Sequence, residues 1–137
     1  RQYPKSEYAA VIPRFITSAL KGEELTIYGD GRQTRDFTYI DNVVRANYLA
    51  AVTKKAGGKV FNVAAGKRIS LLDLVGLLGE ISGRKVPYRL AESRRGDVKH
   101  SLADIRKASR YMNYRPAVDF KKGIIKTYKW FSENHEY

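Results

Sequence analysis

The loop at residues 94–97, Arg-Arg-Gly-Asp, combines residue types that suit a nucleoside diphosphate. Guanidinium groups match phosphate oxygens in pairs, and glycine lets a ligand come close to the main chain. A carboxylate such as that of Asp97 accepts hydrogen bonds from sugar hydroxyls. One loop can therefore hold a pyrophosphate and a ribose together. A solvated surface loop with a local ion pair is the commoner explanation of so short a motif taken alone.

A second candidate for phosphate binding lies in the stretch GDGRQTRDFTYIDNVV, residues 29–44. Arg35 stands at the start of a predicted strand, from which its side chain can project into a cleft. Asp36 can orient or pair with Arg35, and a purely structural ion pair is an equally good interpretation. Tyr28 and Phe37 have flat faces on which a base can stack, although aromatic residues of strands more often belong to the core.

The composition favours an anionic partner and excludes several kinds of site. Lys and Arg number 26 against 14 Asp and Glu, a formal net charge of +12. This excess attracts nucleic acid, an anionic membrane surface or a phosphorylated small molecule, unless an acidic part of the protein balances it. Cysteine is absent and only two histidines are present, so we expect no metal site and no catalytic triad. No apolar run approaches the ~18 residues of a membrane span, and we expect a cytoplasmic protein.

The spacing of the apolar residues predicts an α/β fold with short strands and about five helices. The predicted helices cover residues 8–20, 41–56, 71–81, 104–112 and 120–131, and the predicted strands cover 25–29, 35–40, 59–66 and 85–91. Pro13 is expected to bound or kink the first helix, and Pro87 to mark an edge strand. These strands are short and few, so we expect part of the sheet to lie elsewhere.

Local residues predict where the helices begin and end. Asp41 and Asp119 are expected to be N-caps, and Ser70 with Asp73 is expected to form a capping box. Residues expected to end helices are Gly22, Gly83 and Asn113.

Several segments together resemble the carboxyl-terminal half of the extended short-chain dehydrogenases/reductases, which are NAD-dependent nucleotide-sugar epimerases and dehydratases. The segments are AAVIPRFITSALKGEELTIYGDGRQTRDFTYIDNVVRA, VFNVAAGKRISLLDL and RRGDVKHSLADIRKA, with a late YRP and a WF near the end. The resemblance covers nearly the whole chain and is greatest to the UDP-glucose and UDP-N-acetylglucosamine 4-epimerases. It implies that residues 1–137 are a single substrate-binding domain, a fragment of a larger enzyme that lacks the Rossmann half.

The resemblance implies which residues hold the nucleoside. Val11 would contact the uridine, and Thr26 and Tyr28 would flank the base. Phe37 would line the same pocket. These four positions match the AVIP, LTIYG and TRDF segments of the family.

The resemblance also assigns the diphosphate and the ribose. Arg35 and Arg94 would bind the phosphates, and Asp97 would accept hydrogen bonds from the ribose. Arg95 occupies a variable position of the R-x-G-D pattern, and we assign it no role. The resemblance implies no catalytic, cofactor-binding or metal-binding residue in this chain.

The implied activity belongs to a full-length parent, an NAD-dependent UDP-glucose or UDP-N-acetylglucosamine 4-epimerase. There NAD oxidises C4 of the sugar, the keto intermediate turns, and the hydride returns to the other face. NAD and the catalytic Tyr-x-x-x-Lys pair belong to the Rossmann half, so this chain alone is expected to hold no NAD and to be inactive. A nucleotide-sugar 4,6-dehydratase or a UDP-glucuronate decarboxylase of the same family is the alternative. A basic nucleic-acid-binding module is the alternative of another class, although no known signature supports it.

The expected partners follow from the same resemblance. They are a UDP-sugar substrate, the Rossmann half and a second copy of the enzyme in a homodimer, with no membrane and no nucleic acid. Separation from the Rossmann half would expose an apolar face, so we expect the isolated chain to associate or to dissolve poorly.

Overall fold

The computed structural model describes residues 10–134, which fall into two compact units. The first unit holds the described parts of residues 1–33, 70–99 and 124–137, and the second holds residues 34–69 and 100–123. The elements are, in order, α1 (Val11–Lys21), β1 (Leu25–Tyr28), β2 (Thr34–Arg35), α2 (Ile40–Val52), a 3₁₀ turn (Lys54–Ala56), β3 (Ile69–Ser70), α3 (Leu71–Ser82), β4 (Tyr88–Ala91), α4 (Arg106–Met112) and α5 (Phe120–Glu133). The predicted α/β fold class is confirmed.

The first unit contains a parallel pair of strands, β1 and β4, in which Leu25 lies opposite Tyr88 and Tyr28 lies opposite Ala91. Alternate side chains of a strand point to opposite faces. Leu25 and Ile27 of β1 are therefore buried, while Thr26 and Tyr28 are half-buried. Within the described residues β4 pairs with β1 alone and is an edge strand, as predicted. The helices add buried apolar side chains, among them Phe15, Ile16 and Ala19 of α1 and Leu74 and Leu78 of α3.

The first helix continues past its proline. α1 begins at Val11, so Pro13 lies in the first turn, where a main-chain N–H would have no partner within the helix. The helix therefore runs unbroken to Lys21 and ends at Gly22, which has a left-handed conformation with φ 71°, as predicted. Tyr8, the predicted first residue, lies outside the described residues.

The capping box at the start of α3 is confirmed. The Asp73 N–H donates to Ser70 Oγ at 3.0 Å, and the Ser70 N–H donates to the Asp73 carboxylate at 3.1 Å. The Ser70 hydroxyl also donates to this carboxylate, and it lowers the pKa of Asp73 more than the main-chain bond does. Gly83 ends the helix with φ 68°.

The second unit has a small core, formed by Ala46, Ala56, Ala108, Met112 and Tyr114. The buried Tyr114 hydroxyl donates to the Ala64 carbonyl at 3.0 Å. Burial, and then the negative charge of Asp36, raise the pKa of Tyr114.

A buried amide connects α2 to the segment before α5. Asn42 is fully buried. Its Nδ2 donates to the Val118 carbonyl at 2.8 Å, and its Oδ1 accepts from the N–H groups of Ala117 and Val118 at 2.8 and 3.0 Å. These three hydrogen bonds of the Asn42 side chain therefore all join α2 to the main chain of residues 117–118.

Two of the predicted strands are wrong over most of their length. Of residues 35–40, only Arg35 is in a strand, the short β2 that pairs with β3. Residues 59–66 contain no strand, and Val60 is 83% exposed. The N–H groups of Ala65 and Gly66 donate to the Asp36 carboxylate, each at 3.0 Å, and not to a neighbouring strand.

The remaining helix starts differ slightly from the predictions. Tyr39 is the N-cap of α2 and supplies no side-chain bond, so Asp41 lies inside the first turn instead of capping it. A carboxylate in the first turn still interacts favourably with the positive end of the helix dipole. α4 starts at Arg106 instead of Asp104, and the Asp104 carboxylate accepts the Arg106 N–H. The predicted cap of α5 is confirmed, because the Lys122 N–H donates to the Asp119 carboxylate at 2.8 Å.

No helix among residues 10–134 is both long enough and apolar enough to cross a bilayer.

Candidate functional site

The centre of the candidate site is a contact between Arg94 and Tyr28. Tyr28 ends β1, and its register partner Ala91 ends β4, so the loop after β4 starts beside Tyr28. The N–H of Gly29 donates to the Ala91 carbonyl at 2.8 Å and extends this pairing by one residue. The Arg94 guanidinium carbon consequently lies 3.9 Å from the centroid of the Tyr28 ring, a cation–π contact.

The Arg94 side chain also acts on the Tyr28 hydroxyl. Hydrogen bonding and the charge of Arg94 lower the pKa of Tyr28, and the nearby Arg14 lowers it further. Arg94 and Arg14, which come from different parts of the chain, therefore both favour a negative charge on the Tyr28 hydroxyl oxygen.

Arg14, whose charge helps to lower the pKa of Tyr28, is a residue that the sequence analysis did not consider. It is an exposed residue on α1 and follows Val11, a predicted nucleoside contact, by three positions. Residues three apart on a helix share a face, so the assignment of Val11 contained the signal that would have identified Arg14.

The other predicted residues of the first unit lie on the same elements. Val11 is the half-buried first residue of α1. Thr26 shares the less buried face of β1 with Tyr28, two residues further on. Asp97 is exposed and donates its N–H to the Arg94 carbonyl at 3.1 Å, which closes a turn. Gly96 has φ 84° in this turn, a conformation that few residues other than glycine adopt.

Arg35 and Phe37 belong to the second unit. Arg35 is half-buried in β2, and its Nη1 donates to the Thr34 carbonyl at 2.9 Å. The Phe37 ring stacks on the Phe120 ring, with 5.5 Å between centroids and an angle of 25° between the planes. One face of Phe37 is therefore used in packing.

The described residues do not fit NAD. Binding the pyrophosphate of a dinucleotide requires a glycine-rich turn that leads from a strand into a helix. The glycine turn here contains Gly29 and Gly31, with φ of 89° and 74°, but it leads from β1 into β2. Residues 10–134 also contain no group of His, Cys, Asp and Glu suited to a metal ion.

Comparison with known proteins reveals close likeness to nucleotide-sugar enzymes. The chain is 35% identical over 124 residues to a UDP-glucuronate 4-epimerase of Thermodesulfobacterium geofontis. The aligned residues make up 90% of this chain and 38% of the relative. It is 33% identical to a dTDP-glucose 4,6-dehydratase of Streptomyces griseus over 100% of this chain and 40% of the relative. A UDP-N-acetyl-alpha-D-glucosaminuronate decarboxylase of Bacillus cytotoxicus is 31% identical over 92% of this chain and 41% of the relative.

The fold agrees with these sequence relationships. The crystal structure of the UDP-glucose 4-epimerase of Thermotoga maritima with UDP-glucose matches 99% of this chain and 43% of its own, with a TM-score of 0.90 and 37% identity. A family described as the NAD dependent epimerase/dehydratase family matches residues 1–64. This chain thus spans about two fifths of the length of its relatives. The chain belongs to the NAD-dependent epimerase/dehydratase family of extended short-chain dehydrogenases/reductases and corresponds to the carboxyl-terminal portion of its members.

Proposed function

We propose that this chain binds the nucleotide of a UDP-sugar, as the substrate-binding part of an NAD-dependent 4-epimerase for UDP-glucose or UDP-N-acetylglucosamine. The observation that supports this most directly is the contact of Arg94 with Tyr28. It places a group that binds phosphate next to an aromatic ring, and a nucleoside diphosphate requires both. The whole enzyme would hold NAD in its Rossmann half and would act as a cytoplasmic homodimer.

Arg94 and Arg35 bind the diphosphate in this proposal, and Asp97 binds the ribose. Arginine suits this work because its planar fork presents two N–H groups to two phosphate oxygens. A diphosphate held at two points leaves the sugar free to turn between its oxidation and its reduction, which a 4-epimerase requires.

The nucleoside lies beside the half-buried residues of α1 and β1. Val11 contacts the uridine, and Thr26 and Tyr28 flank the base, while Phe37 lines the pocket. Thr26 and Tyr28 support this assignment because they project from the same face of one strand.

Binding measurements on this chain test the proposal. We expect UDP to bind in titration calorimetry, and we expect Arg94→Ala and Arg35→Ala each to weaken binding about tenfold or more, because hydrogen bonds to charged groups contribute about 1.5–3 kcal/mol. Arg95→Ala and Arg32→Ala remove the same charge from neighbouring positions and are expected to change affinity little. Circular dichroism checks that each variant is folded.

The arginine-to-lysine variants sharpen the same test. Lysine keeps the charge at positions 35 and 94 but loses the fork, so affinity should fall nearly as far as in the alanine variants. If UDP binds and none of these variants alters its affinity, the assignment of the phosphate ligands is wrong.

Nucleic-acid binding is the competing function, and salt dependence distinguishes it. A protein that contacts six to ten phosphates of DNA loses about 10³–10⁵ in affinity between 50 and 200 mM salt. If the chain ignores UDP and UDP-sugars but binds oligonucleotides with so steep a dependence, the proposed function is wrong for this chain.

The reaction is tested in a protein that joins this chain to a Rossmann half. Conversion of UDP-glucose into its C4 epimer supports the 4-epimerase. A 4-keto-6-deoxy product would instead identify a dehydratase, and release of carbon dioxide from UDP-glucuronate a decarboxylase.

A further inference from the structure

The Asp36 carboxylate joins three segments of the second unit. One of its oxygens accepts the N–H of Ala65 at 3.0 Å, and the other accepts the N–H groups of Gly66 at 3.0 Å and Ala103 at 3.4 Å. Asp36 is half-buried and directly follows Arg35 of β2. A single carboxylate therefore holds the chain just after Arg35 to two segments that are distant in sequence.

The chain just before Arg35 is held as well. The Thr34 carbonyl accepts the N–H of Ser101 at 3.1 Å. Thr34 Oγ1 lies 3.0 Å from His100 Nδ1, a hydrogen bond. The main chain on each side of Arg35 is therefore fixed to residues 100–103.

The segment at residues 64–66, which Asp36 also contacts, is itself attached to the core. The Ala64 carbonyl accepts the hydroxyl of the buried Tyr114 at 3.0 Å. A Cβ atom built on Gly66 would lie 3.0 Å from Ile105 Cδ1, so the main chain lies closely against that side chain. Asp36 therefore connects Arg35 to a well-packed part of the second unit.

The sequence left open whether Asp36 orients Arg35 or pairs with its charge. In the described part of the chain, the three hydrogen bonds of the Asp36 carboxylate all come from main-chain N–H groups. A carboxylate bound to the guanidinium fork would compete with a phosphate, because both use the same pair of N–H groups. Main-chain donors hold Asp36 without that competition, so its contacts favour the orienting role.

We propose that Asp36 is a positioning residue for Arg35, which it holds within reach of the diphosphate through its hydrogen bonds to residues 65–66 and 103. This inference rests on the proposed function, in which Arg35 binds the phosphates, and it names the group that places Arg35. A guanidinium fork on a fixed main chain loses less freedom when it binds a phosphate than a fork on a loose one.

The main test compares UDP and uridine as ligands of the full chain and of Asp36→Asn. Asparagine has the shape of aspartate, but its Nδ2 is a donor, so at least one main-chain N–H loses its acceptor. We expect UDP to bind about fivefold more weakly and uridine, which has no phosphate, to bind equally well. Equal weakening of UDP and uridine would show an effect on the nucleoside or on the whole fold and would overturn the proposal.

A double-mutant cycle distinguishes positioning from a merely structural role. If Asp36 acts through Arg35, Asp36→Asn should not reduce further the UDP affinity of Arg35→Ala. Losses that simply add in the double variant would show that Asp36 acts independently of Arg35, and the proposal would be wrong.

The matched control is Asp119→Asn. Asp119 is an exposed carboxylate of the same unit that also accepts a main-chain N–H, from Lys122 at 2.8 Å. This variant loses the same charge and a similar hydrogen bond, and we expect it to bind UDP as the unmodified chain does. A loss as large as that of Asp36→Asn would show a general effect of charge or stability and would contradict the role of Asp36.

Hydrogen exchange in the unmodified chain gives a test that does not depend on the folding of any variant. Coupling between two sites is reciprocal, so UDP bound to Arg35 must in turn stabilise the contacts that position it. Saturating UDP should therefore slow the exchange of the Ala65 and Gly66 amides, measured by NMR, and should not slow that of the Lys122 amide. Ala65 and Gly66 amides that exchange at the same rate with and without UDP would overturn the proposal.

Two outcomes separate this inference from the proposed function. If Arg35→Ala weakens UDP binding and Asp36→Asn does not, the role of Asp36 is wrong while the nucleotide site stands. If the unmodified chain binds no UDP, the proposed function fails and this inference fails with it.

Discussion

At the scale of single residues, Tyr28 shows how one contact in the structure changes the interpretation of an aromatic side chain. The sequence suggested an aromatic face for a base, and the structure gives one face of that ring to Arg94. A base at this position must therefore stack on the opposite face, or take the place of Arg94 when the guanidinium turns to the phosphates. Either arrangement connects the nucleoside and phosphate parts of the proposed site through one residue.

We predict that Tyr28 ionises at lower pH than an ordinary tyrosine, because Arg94 and Arg14 favour the phenolate. Because the folded pKa is the lowered one, the interaction stabilises the fold only at alkaline pH, and the effect is lost as the pH falls through the folded pKa. NMR titration of the protein labelled with ¹³C at the tyrosine Cζ measures this pKa. The resonance that is missing from the spectrum of Tyr28→Phe is that of Tyr28.

Arg94→Ala should return the pKa of Tyr28 toward its ordinary value, and Arg95→Ala should not. Addition of UDP should raise the pKa of Tyr28, because a bound anion disfavours a second negative charge. A Tyr28 resonance that titrates identically in the unmodified chain and in Arg94→Ala would contradict the contact.

At the scale of elements, helix ends were predictable where one residue and its near neighbours determine them. Ser70 and Asp73 form their capping box within one turn, and Gly22 and Gly83 end helices by their own conformation. Strands were less predictable because a strand needs a partner supplied by distant residues. Residues 59–66 have the composition of a strand, yet their main-chain groups bond to the side chains of Asp36 and Tyr114 instead of to another strand.

The turn between β1 and β2 depends on a glycine for two separate reasons. Gly31 has φ 74°, and a Cβ atom built on it would lie 2.8 Å from Leu72 Cγ. Gly58 has a similar φ of 66°, but a Cβ there meets no atom within 4 Å. Alanine substitutions at Gly31 and Gly58 therefore separate the energetic cost of the left-handed conformation from the cost of a steric clash with Leu72.

We predict that Gly58→Ala lowers the free energy of unfolding by about 1–2 kcal/mol, the conformational cost alone. Gly31→Ala should lower it by about 1–3 kcal/mol more, because the added methyl group overpacks the site beside Leu72. Urea denaturation followed by circular dichroism measures both. Equal losses in the two variants would show that Leu72 moves aside freely.

At the scale of the whole molecule, composition suggested the class of ligand that we propose, and local motifs suggested parts of the proposed site. The net charge of +12 indicated an anionic partner. The loop at residues 94–97 and the end of β1 were both singled out, but only the parallel register of β1 with β4 shows that they meet. Arg14 directly follows the AVIP segment but was not considered, because only the structure shows α1 as one continuous helix from Val11.

The register of β1 with β4 also determines when the proposed site forms as the chain folds. The two strands are separated in sequence by α2 and α3, so their pairing closes a long loop and is a non-local event. We expect Tyr28 and Arg94 to come together late, after the helices have formed. In stopped-flow refolding, helical ellipticity should then recover before the ability to bind UDP does, and simultaneous recovery would contradict this order. A nucleotide would thus recognise only chains that have completed folding, and it would slow their unfolding without accelerating their folding.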